Sequence, residues 1–92
     1  MATGQGSATI DFGTGKMDTS LAVTGQASIL TTHLVEAWLS GASTADNLQD
    51  AGFAENMLVF AGDIVDATGF TIYAQCQRGR CFGKYVINWV WA

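Results

Sequence analysis

Short apolar runs recur along the chain at a spacing of about ten residues, separated by Gly, Asp and other turn-forming residues. The runs are rich in Val, Ile, Thr, Phe and Trp, which favour extended backbone, and helical periodicity is weak. The pattern predicts strands near residues 7–12, 19–25, 28–39, 56–61, 63–66, 69–77 and 80–91. About seven short strands are typical of two packed sheets. We therefore predict an all-β fold, a compact antiparallel β-sandwich of jelly-roll or immunoglobulin-like type.

Two segments fit this pattern less well. The segment "SILTTHLVEAWL", residues 28–39, could also form a helix. Thr31, Thr32 and Val35 lower its helix propensity, so we interpret it as a strand. The segment "SGASTADNLQDAGFAEN", residues 40–56, is the one long irregular stretch. Long loops on a rigid sandwich often carry binding sites, but a solvated crossover between sheets is the default interpretation.

The sequence "CQRGRC", Cys76 to Cys81, contains both cysteines of the chain. A two-residue turn at Arg78-Gly79, with the glycine supplying a positive φ, predicts a C-terminal β-hairpin. In its register Cys76 faces Cys81 in a non-hydrogen-bonded pair, with Cα atoms about 4.5 Å apart, a distance that disulfides accept. We therefore predict a disulfide, or a close thiol pair that oxidises outside a reducing cell, and a positive tip formed by Arg78 and Arg80.

The same register separates the aromatic residues of this hairpin into two faces. Tyr85, Trp89 and Trp91 share the apolar face, which favours a place in the core or in a subunit interface over stacking on sugars, an alternative use that they share with Trp38 and Tyr73. Tyr73 and Phe82 lie on the mixed face. They are the better candidates for exposed contact with a partner.

Composition indicates a single domain with an apolar surplus. The chain has 92 residues, 49% of them hydrophobic and 13% charged, and no proline. We predict one domain, residues 1–92, with a Gly-rich N-terminal arm at about residues 1–7. The high apolar fraction, and sheet edges that no proline protects, favour burial of part of the surface against other copies of the chain. The N-terminus lacks the features of a signal peptide, and no apolar run approaches the roughly 18 residues of a membrane span, so we expect neither secretion nor a membrane partner.

Charge is distributed unevenly along the sequence. The net charge is −4, from eight acidic and four basic residues. Arg78, Arg80 and Lys84 follow residue 77 and no acid does, so residues 1–77 carry −7 and residues 78–92 carry +3. An acidic balance argues against nucleic-acid binding, which depends on clustered basic residues. The three C-terminal cations are instead candidates for contact with an acidic partner surface.

No catalytic or metal-binding constellation is evident. The segment "GTGK", residues 13–16, lacks the first glycine and the final Ser or Thr of a phosphate-binding loop. His33 has no nucleophile nearby in sequence, which favours a structural role. A zinc site needs about four ligands, and beyond Cys76 and Cys81 the chain offers only this histidine as a further soft ligand. We expect no enzyme, no cofactor and no metal.

An ordered series of short segments resembles a family of small proteins encoded by tailed bacteriophages. The segments are "DFG" (11–13), "VTGQ" (23–26), "VEAW" (35–38), "STAD" (43–46), "ATGFTIYA" (67–74) and "GKYVINWVWA" (83–92). Such proteins are usually regarded as virion components of head or tail. The resemblance spans nearly the whole chain and implies a structural role without active-site residues. Two features depart from the family pattern: Asn47-Leu48-Gln49 replace histidines and acids, and the paired cysteines are particular to this sequence.

Two functional hypotheses follow from this resemblance. The first is a capsid decoration, or cement, subunit that stabilises the head of the virion as a homo-oligomer, expected to be a trimer, with the major capsid protein or tail proteins as partners. Head decoration ranks ahead of a tail position on size and compactness alone. The alternative is a tail or tail-fibre accessory or adhesin domain that binds host surface glycan through Tyr73, Phe82 and the loop at 40–56.

Overall fold

The computed structural model describes residues 3–40, 44, 57–77 and 79–92. Within these ranges the chain forms strands and turns, with no helix. The strands are β1 (Gly4–Asp11), β2 (Asp18–Val23), β3 (Val35–Leu39), β4 (Met57–Val65), β5 (Gly69–Cys76) and β6 (Lys84–Trp91). The predicted all-β class is therefore confirmed.

The strands form two antiparallel three-stranded sheets, ordered β1-β6-β3 and β2-β5-β4. Across the two sheets, β1 lies next to β2 and β3 next to β4. The result is a β-sandwich-like arrangement with β6 and β5 as the central strands. Neither a seventh strand nor a jelly-roll or immunoglobulin-like order is confirmed in the part of the chain that the structure describes.

The core lies between the sheets and is filled mainly by alternate residues of the two central strands. Such alternation follows from the pleat, which directs successive side chains to opposite faces. The buried residues are Ile10, Phe12, Ile29, Phe70, Ile72, Ala74, Cys76, Cys81, Tyr85, Ile87, Trp89 and Trp91. Phe70 packs edge-on against Trp89, with ring centroids 5.2 Å apart. Tyr85, Trp89 and Trp91 therefore occupy the core, the first of the two places that the sequence predicted for them.

Two glycines of β1 make room for the tryptophans of β6. Gly4 pairs with Trp91 and Gly6 with Trp89. A Cβ atom at Gly4 would lie 2.3 Å from Nε1 of Trp91, and one at Gly6 would lie 2.6 Å from Cζ2 of Trp89. The indoles thus lie across β1. This strand begins at Gly4, inside the segment predicted as an arm, and β1 is longer than the predicted strand at 7–12.

Two predicted strand boundaries are wrong. The predicted strands at 56–61 and 63–66 are one strand, β4, interrupted by a bulge between Gly62 and Val65. The predicted strand at 28–39 is extended only over Val35–Leu39. The residues before it form turns around the buried Ile29, because local hydrogen bonds link the Ile29 amide to the Gln26 carbonyl and close the turn between Leu30 and His33. Leu34 then exchanges backbone hydrogen bonds with Ala92 and leads into β3.

The predicted C-terminal hairpin is also wrong. β5 and β6 belong to different sheets, and Cys81 pairs with Lys16 instead of Cys76. The connection at 77–83 crosses from one sheet to the other, alongside the β1–β2 connection at 12–17. Hydrogen bonds of 2.8 Å from the Phe12 amide to the Gly83 carbonyl and 3.0 Å from the Cys81 amide to the Lys16 carbonyl join the two crossovers. The apolar residues that alternate along β5 and β6, which suggested a hairpin, instead face each other across the core from two different sheets.

Gly69 and Gly62 offer a matched pair of glycine-to-alanine substitutions. A Cβ atom at Gly69 would lie 1.7 Å from the carbonyl oxygen of Val23, whereas one at Gly62 would meet nothing within 4 Å. Because a backbone oxygen cannot rotate away, Gly69→Ala is expected to lower the free energy of unfolding by about 2 kcal/mol, or roughly 10 °C in Tm. Gly62→Ala should leave it unchanged or raise it by about 0.5 kcal/mol. Thermal unfolding followed by circular dichroism measures both, and equal Tm values would contradict the prediction.

Candidate functional site

The outer face of the β2-β5-β4 sheet carries an apolar cluster. Met57, Val59 and Ala61 point toward the core, so Leu58 and Phe60 between them point outward, where they are 47% and 57% exposed. Their neighbours on β5 are Gln75 and Tyr73. The rings of Phe60 and Tyr73 lie 5.8 Å apart at an angle of 38°. We call Leu58, Phe60 and Tyr73 the aromatic face; beside it a shallow groove of about 440 Å³ extends toward Asp18 and Ser20 of β2.

Tyr73 is held in place by a residue with unusual backbone geometry. Its hydroxyl donates a hydrogen bond to the carboxylate of Asp63, which lies at the bulge of β4. Asp63 has a φ of 54°, a left-handed conformation that non-glycine residues adopt at a cost of about 1–2 kcal/mol. The hydrogen bond to Asp63 raises the pKa of Tyr73 above 10.0, with smaller upward effects from desolvation and the carboxylate charge and an opposing hydrogen bond to Thr71. The polar end of Tyr73 is thus already engaged within the chain.

The outer face of the β1-β6-β3 sheet has a different character. Ser7, Asn88 and Trp38 lie side by side across its three strands. With Gln5 from the adjacent row they surround a shallow depression of about 490 Å³. Trp38 is 47% exposed. We call Gln5, Ser7, Trp38 and Asn88 the polar face; their side chains make no hydrogen bond to any other residue that the structure describes.

The basic side chains gather at one end of the molecule. Lys16 and Arg80 come from the two adjacent crossovers, and Lys84 begins β6 opposite Asp11 of β1. The sequence analysis did not group Lys16 with the C-terminal cations, because Lys16 lies far from them along the chain. The pairing of Lys16 with Cys81 brings it to the same end of the molecule. Arg78, predicted to belong to the tip, lies outside the described residues. The predicted contact residue Phe82 is at the same end and is 57% exposed.

Both cysteines are buried in the core, Cys76 at 2% and Cys81 at 1% exposure. The amide of Cys76 donates a 2.7 Å hydrogen bond to the Met17 carbonyl, and Cys81 bonds to Lys16. The hairpin register that suggested their pairing is wrong, so the disulfide now stays a prediction without that support. Burial means that the two sulfur atoms contribute apolar packing, whatever their oxidation state.

His33 has a structural environment. Its Nδ1 accepts a 2.9 Å hydrogen bond from the Leu30 amide, and its ring lies 5.0 Å from the ring of Trp91.

Within the described ranges, His, Cys, Asp and Glu nowhere form a group of three or more that could hold a metal ion. No helix in the same ranges is long and apolar enough to cross a membrane. The loop predicted as a possible binding segment, 40–56, lies outside the described residues except for Ser40 and Thr44.

Comparison with known proteins gives no match, whether to protein-family models, to curated proteins or to solved structures. The resemblance to phage virion proteins therefore stays a prediction from the short segments that carry it. Functional inference depends on the chemistry of the two outer faces and the basic end.

Replacing Asp63 tests the anchoring of Tyr73. Because the Asp63 hydrogen bond favours the protonated phenol, Asp63→Asn should lower the pKa of Tyr73 toward 10.0. In the unchanged protein the bond stabilises the fold below about pH 10, and that contribution disappears as the pH rises through the raised pKa. An NMR titration of the two tyrosines gives the pKa directly. Asp66→Asn, a nearby acid bonded to the Thr31 amide, is the control; equal titration of both variants would contradict the anchoring role.

Burial of the cysteines predicts slow thiol chemistry in the folded protein. Alkylation of reduced protein should be at least about 100-fold slower in the native state than in guanidinium, because a reagent must wait for local opening. Mass spectrometry over time measures this, and rapid native alkylation would show that the thiols are accessible. Alkylation of protein that was purified without reductant and then unfolded tests the predicted disulfide, since a disulfide leaves no thiol to alkylate.

Proposed function

We propose that the chain is a virion structural protein of a tailed bacteriophage, whose copies associate through the aromatic face. The resemblance of six sequence segments supports the phage origin. Three of these segments include residues of β3, β5 and β6, and others fall in the turns after β1 and β2. The segment at 43–46 lies outside the described residues except for Thr44, and none of the six covers β4.

The observation that carries the proposal is the exposure of Leu58 and Phe60 together on a sheet. Exposed apolar residues that occur singly are ordinary, but a contiguous patch on a soluble chain marks an interaction surface. Aromatic residues are enriched in such interfaces, where their large area is buried at low entropic cost. β4 is also an edge strand, with β5 as its partner on one side, and proline is absent from the sequence. Because β3 of the other sheet lies next to β4, association with a further copy would chiefly cover the exposed side chains of the aromatic face.

Within the virion, a capsid decoration subunit is the favoured role. The described residues form a compact body of 37 × 20 × 17 Å, a shape suited to bridging neighbouring subunits on a head surface. The basic end formed by Lys16, Arg80 and Lys84 offers a contact for an acidic surface of the major capsid protein, where charge complementarity would fix orientation. A trimer is the expected oligomer. A tail or tail-fibre accessory domain is the second candidate, favoured by the polar face around Trp38.

Phe60→Lys tests the proposed interface. Loss of a central aromatic contact typically costs about 2 kcal/mol or more of association, roughly 30-fold in the dissociation constant, and the added charge increases this cost. Sedimentation velocity over a concentration series should therefore show an oligomer for the unchanged protein and a shift toward monomer for the variant. Leu34→Lys is the matched control, since Leu34 is 79% exposed but lies in the turn before β3, away from the aromatic face. A monomer at all concentrations, or equal effects of both variants, would contradict the interface.

Mass spectrometry of purified particles of the encoding phage tests the virion role itself. The chain is expected among the particle proteins, and immunogold labelling should place it on the head. Labelling confined to the tail would support the second candidate. Absence from purified particles would contradict both.

A further inference from the structure

We infer that the polar face, formed by Gln5, Ser7, Trp38 and Asn88, binds a neutral saccharide. The inference goes beyond the proposed decoration role and deepens the second candidate, a tail accessory domain. The residues involved lie on the other sheet from the aromatic face, although Trp38 and Phe60 both line a pocket where β3 lies next to β4.

The strand register brings the required chemistry together. Ser7 pairs with Asn88, and Asn88 pairs with Trp38, so a hydroxyl, an amide and an indole form one row across the sheet. Neighbouring strands lie about 4.8 Å apart, so the row extends over roughly 10 Å. This width accommodates a pyranose ring lying flat on the sheet. The amide of Gln5 borders the same depression from the next row.

The hydrogen-bonding groups of this face are uncommitted within the described chain. No side chain among Gln5, Ser7, Trp38 and Asn88 donates to or accepts from another described residue. On the aromatic face, by contrast, the Tyr73 hydroxyl bonds to Asp63 and the Gln75 amide lies 3.5 Å from that of Gln77. The site predicted at Tyr73 and Phe82 therefore has fewer groups to offer a sugar.

Among the described residues, the side chain of Trp38 has neither a hydrogen bond nor a ring contact. The alternation of β3 directs Val35 and Ala37 toward the core and Trp38 outward. Its ring contacts no other aromatic ring in the described ranges, whereas Trp89 packs against Phe70 and Trp91 against His33. A flat exposed indole beside free amides is suited to the apolar C–H face of a sugar, while the amides and the hydroxyl both donate to and accept from sugar hydroxyls.

The charge around the depression selects a neutral ligand. None of the residues that line it is charged. The nearest ionic group in register is Glu36, opposite Val90, which would repel an anionic sugar. Lys84 on the same strand lies four residues from Asn88, about 13 Å away along β6. A shallow site of this kind is expected to bind with a dissociation constant on the order of 1 mM.

The indole N–H signals of the full chain report binding directly. The sequence has three tryptophans. Nε1 of Trp91 donates a 3.0 Å bond to Gln26, so its signal should be insensitive to a surface ligand and serves as the internal reference. Trp89 lines the depression, and its buried Nε1 has no hydrogen-bond partner among the described residues, so its signal is not used as a reference. Titration with methyl β-glucoside, methyl β-galactoside and N-acetylglucosamine should shift the Trp38 signal with at least one sugar. Glucuronate, the anionic comparison, should shift it less.

Substitutions distinguish a sugar-binding site at Trp38 from an exposed tryptophan that binds no ligand. Trp38→Ala should abolish binding, Trp38→Phe should retain it with weaker affinity, and Asn88→Ala should raise the dissociation constant about fivefold through loss of a hydrogen bond. Binding to the alanine variants is followed by the backbone amide of Ser7, and signal dispersion in each spectrum reports folding. Leu58→Lys, on the aromatic face but outside the pocket that Phe60 shares with Trp38, should bind as the unchanged protein does, so the saccharide and assembly proposals can fail separately.

The proposal is overturned if no sugar of this neutral panel shifts the Trp38 signal at about 50 mM, far above the expected dissociation constant. It is also overturned if Trp38→Ala binds as well as the unchanged protein. A glucuronate response equal to or larger than the neutral response would overturn the assignment of ligand class. If the Trp38→Ala variant does not fold, Trp38→Phe and Asn88→Ala still decide the outcome, and unchanged affinity in Asn88→Ala would contradict the site.

Discussion

The packing of the β6 tryptophans across the glycines of β1 is the contact on which the sandwich depends. Trp89 and Trp91 are too large to lie flat against a strand that carries side chains, and Gly6 and Gly4 provide bare backbone in register with them. β6 consequently has β1 on one side and β3 on the other. β5 does not pair with β6; it pairs with β2 and β4 and faces β6 across the core. The Phe70–Trp89 contact then joins the two sheets.

Once the inner faces are filled, the alternation of each strand determines what lies outside. On β4 this places Leu58 and Phe60 outward, and on β3 it places Trp38 outward. The same geometric rule therefore produces two different surfaces. One is apolar, with its tyrosine hydroxyl already bonded to Asp63, and is suited to contact with another copy of the chain. The other combines an indole with uncommitted amides and a hydroxyl and is suited to a small polar ligand.

The crossovers at one end contribute a third surface. The connections at 12–17 and 77–83 run side by side and are joined by backbone hydrogen bonds, which brings Lys16 next to the C-terminal cations. Cys81 belongs to this corner and Cys76 ends β5, with both side chains turned into the core. In the proposed assembly the apolar sheet face would contribute buried area, and the basic end would orient the chain against an acidic surface.

The local pattern of apolar and polar residues was enough to predict the all-β class and which side chains of each strand face inward or outward. Period-two alternation is a local property, so the inward positions of Phe70, Ile72, Tyr85 and Ile87 could be predicted without knowing which strands pair. The uneven charge and the exposure of Phe82 were accessible in the same way.

The choice of neighbouring strands, by contrast, depends on packing in three dimensions. Two strands with apolar alternation can pair in one sheet or face each other across a core, and the sequence pattern is the same in both cases. The predicted Cys76–Cys81 register was wrong for this reason. The polar face could not be predicted either, because Ser7, Trp38 and Asn88 are distant in sequence and become adjacent only through the pairing of β1, β6 and β3. That pairing depends on the fit of two indoles against two glycines, which is a property of side-chain volume in three dimensions.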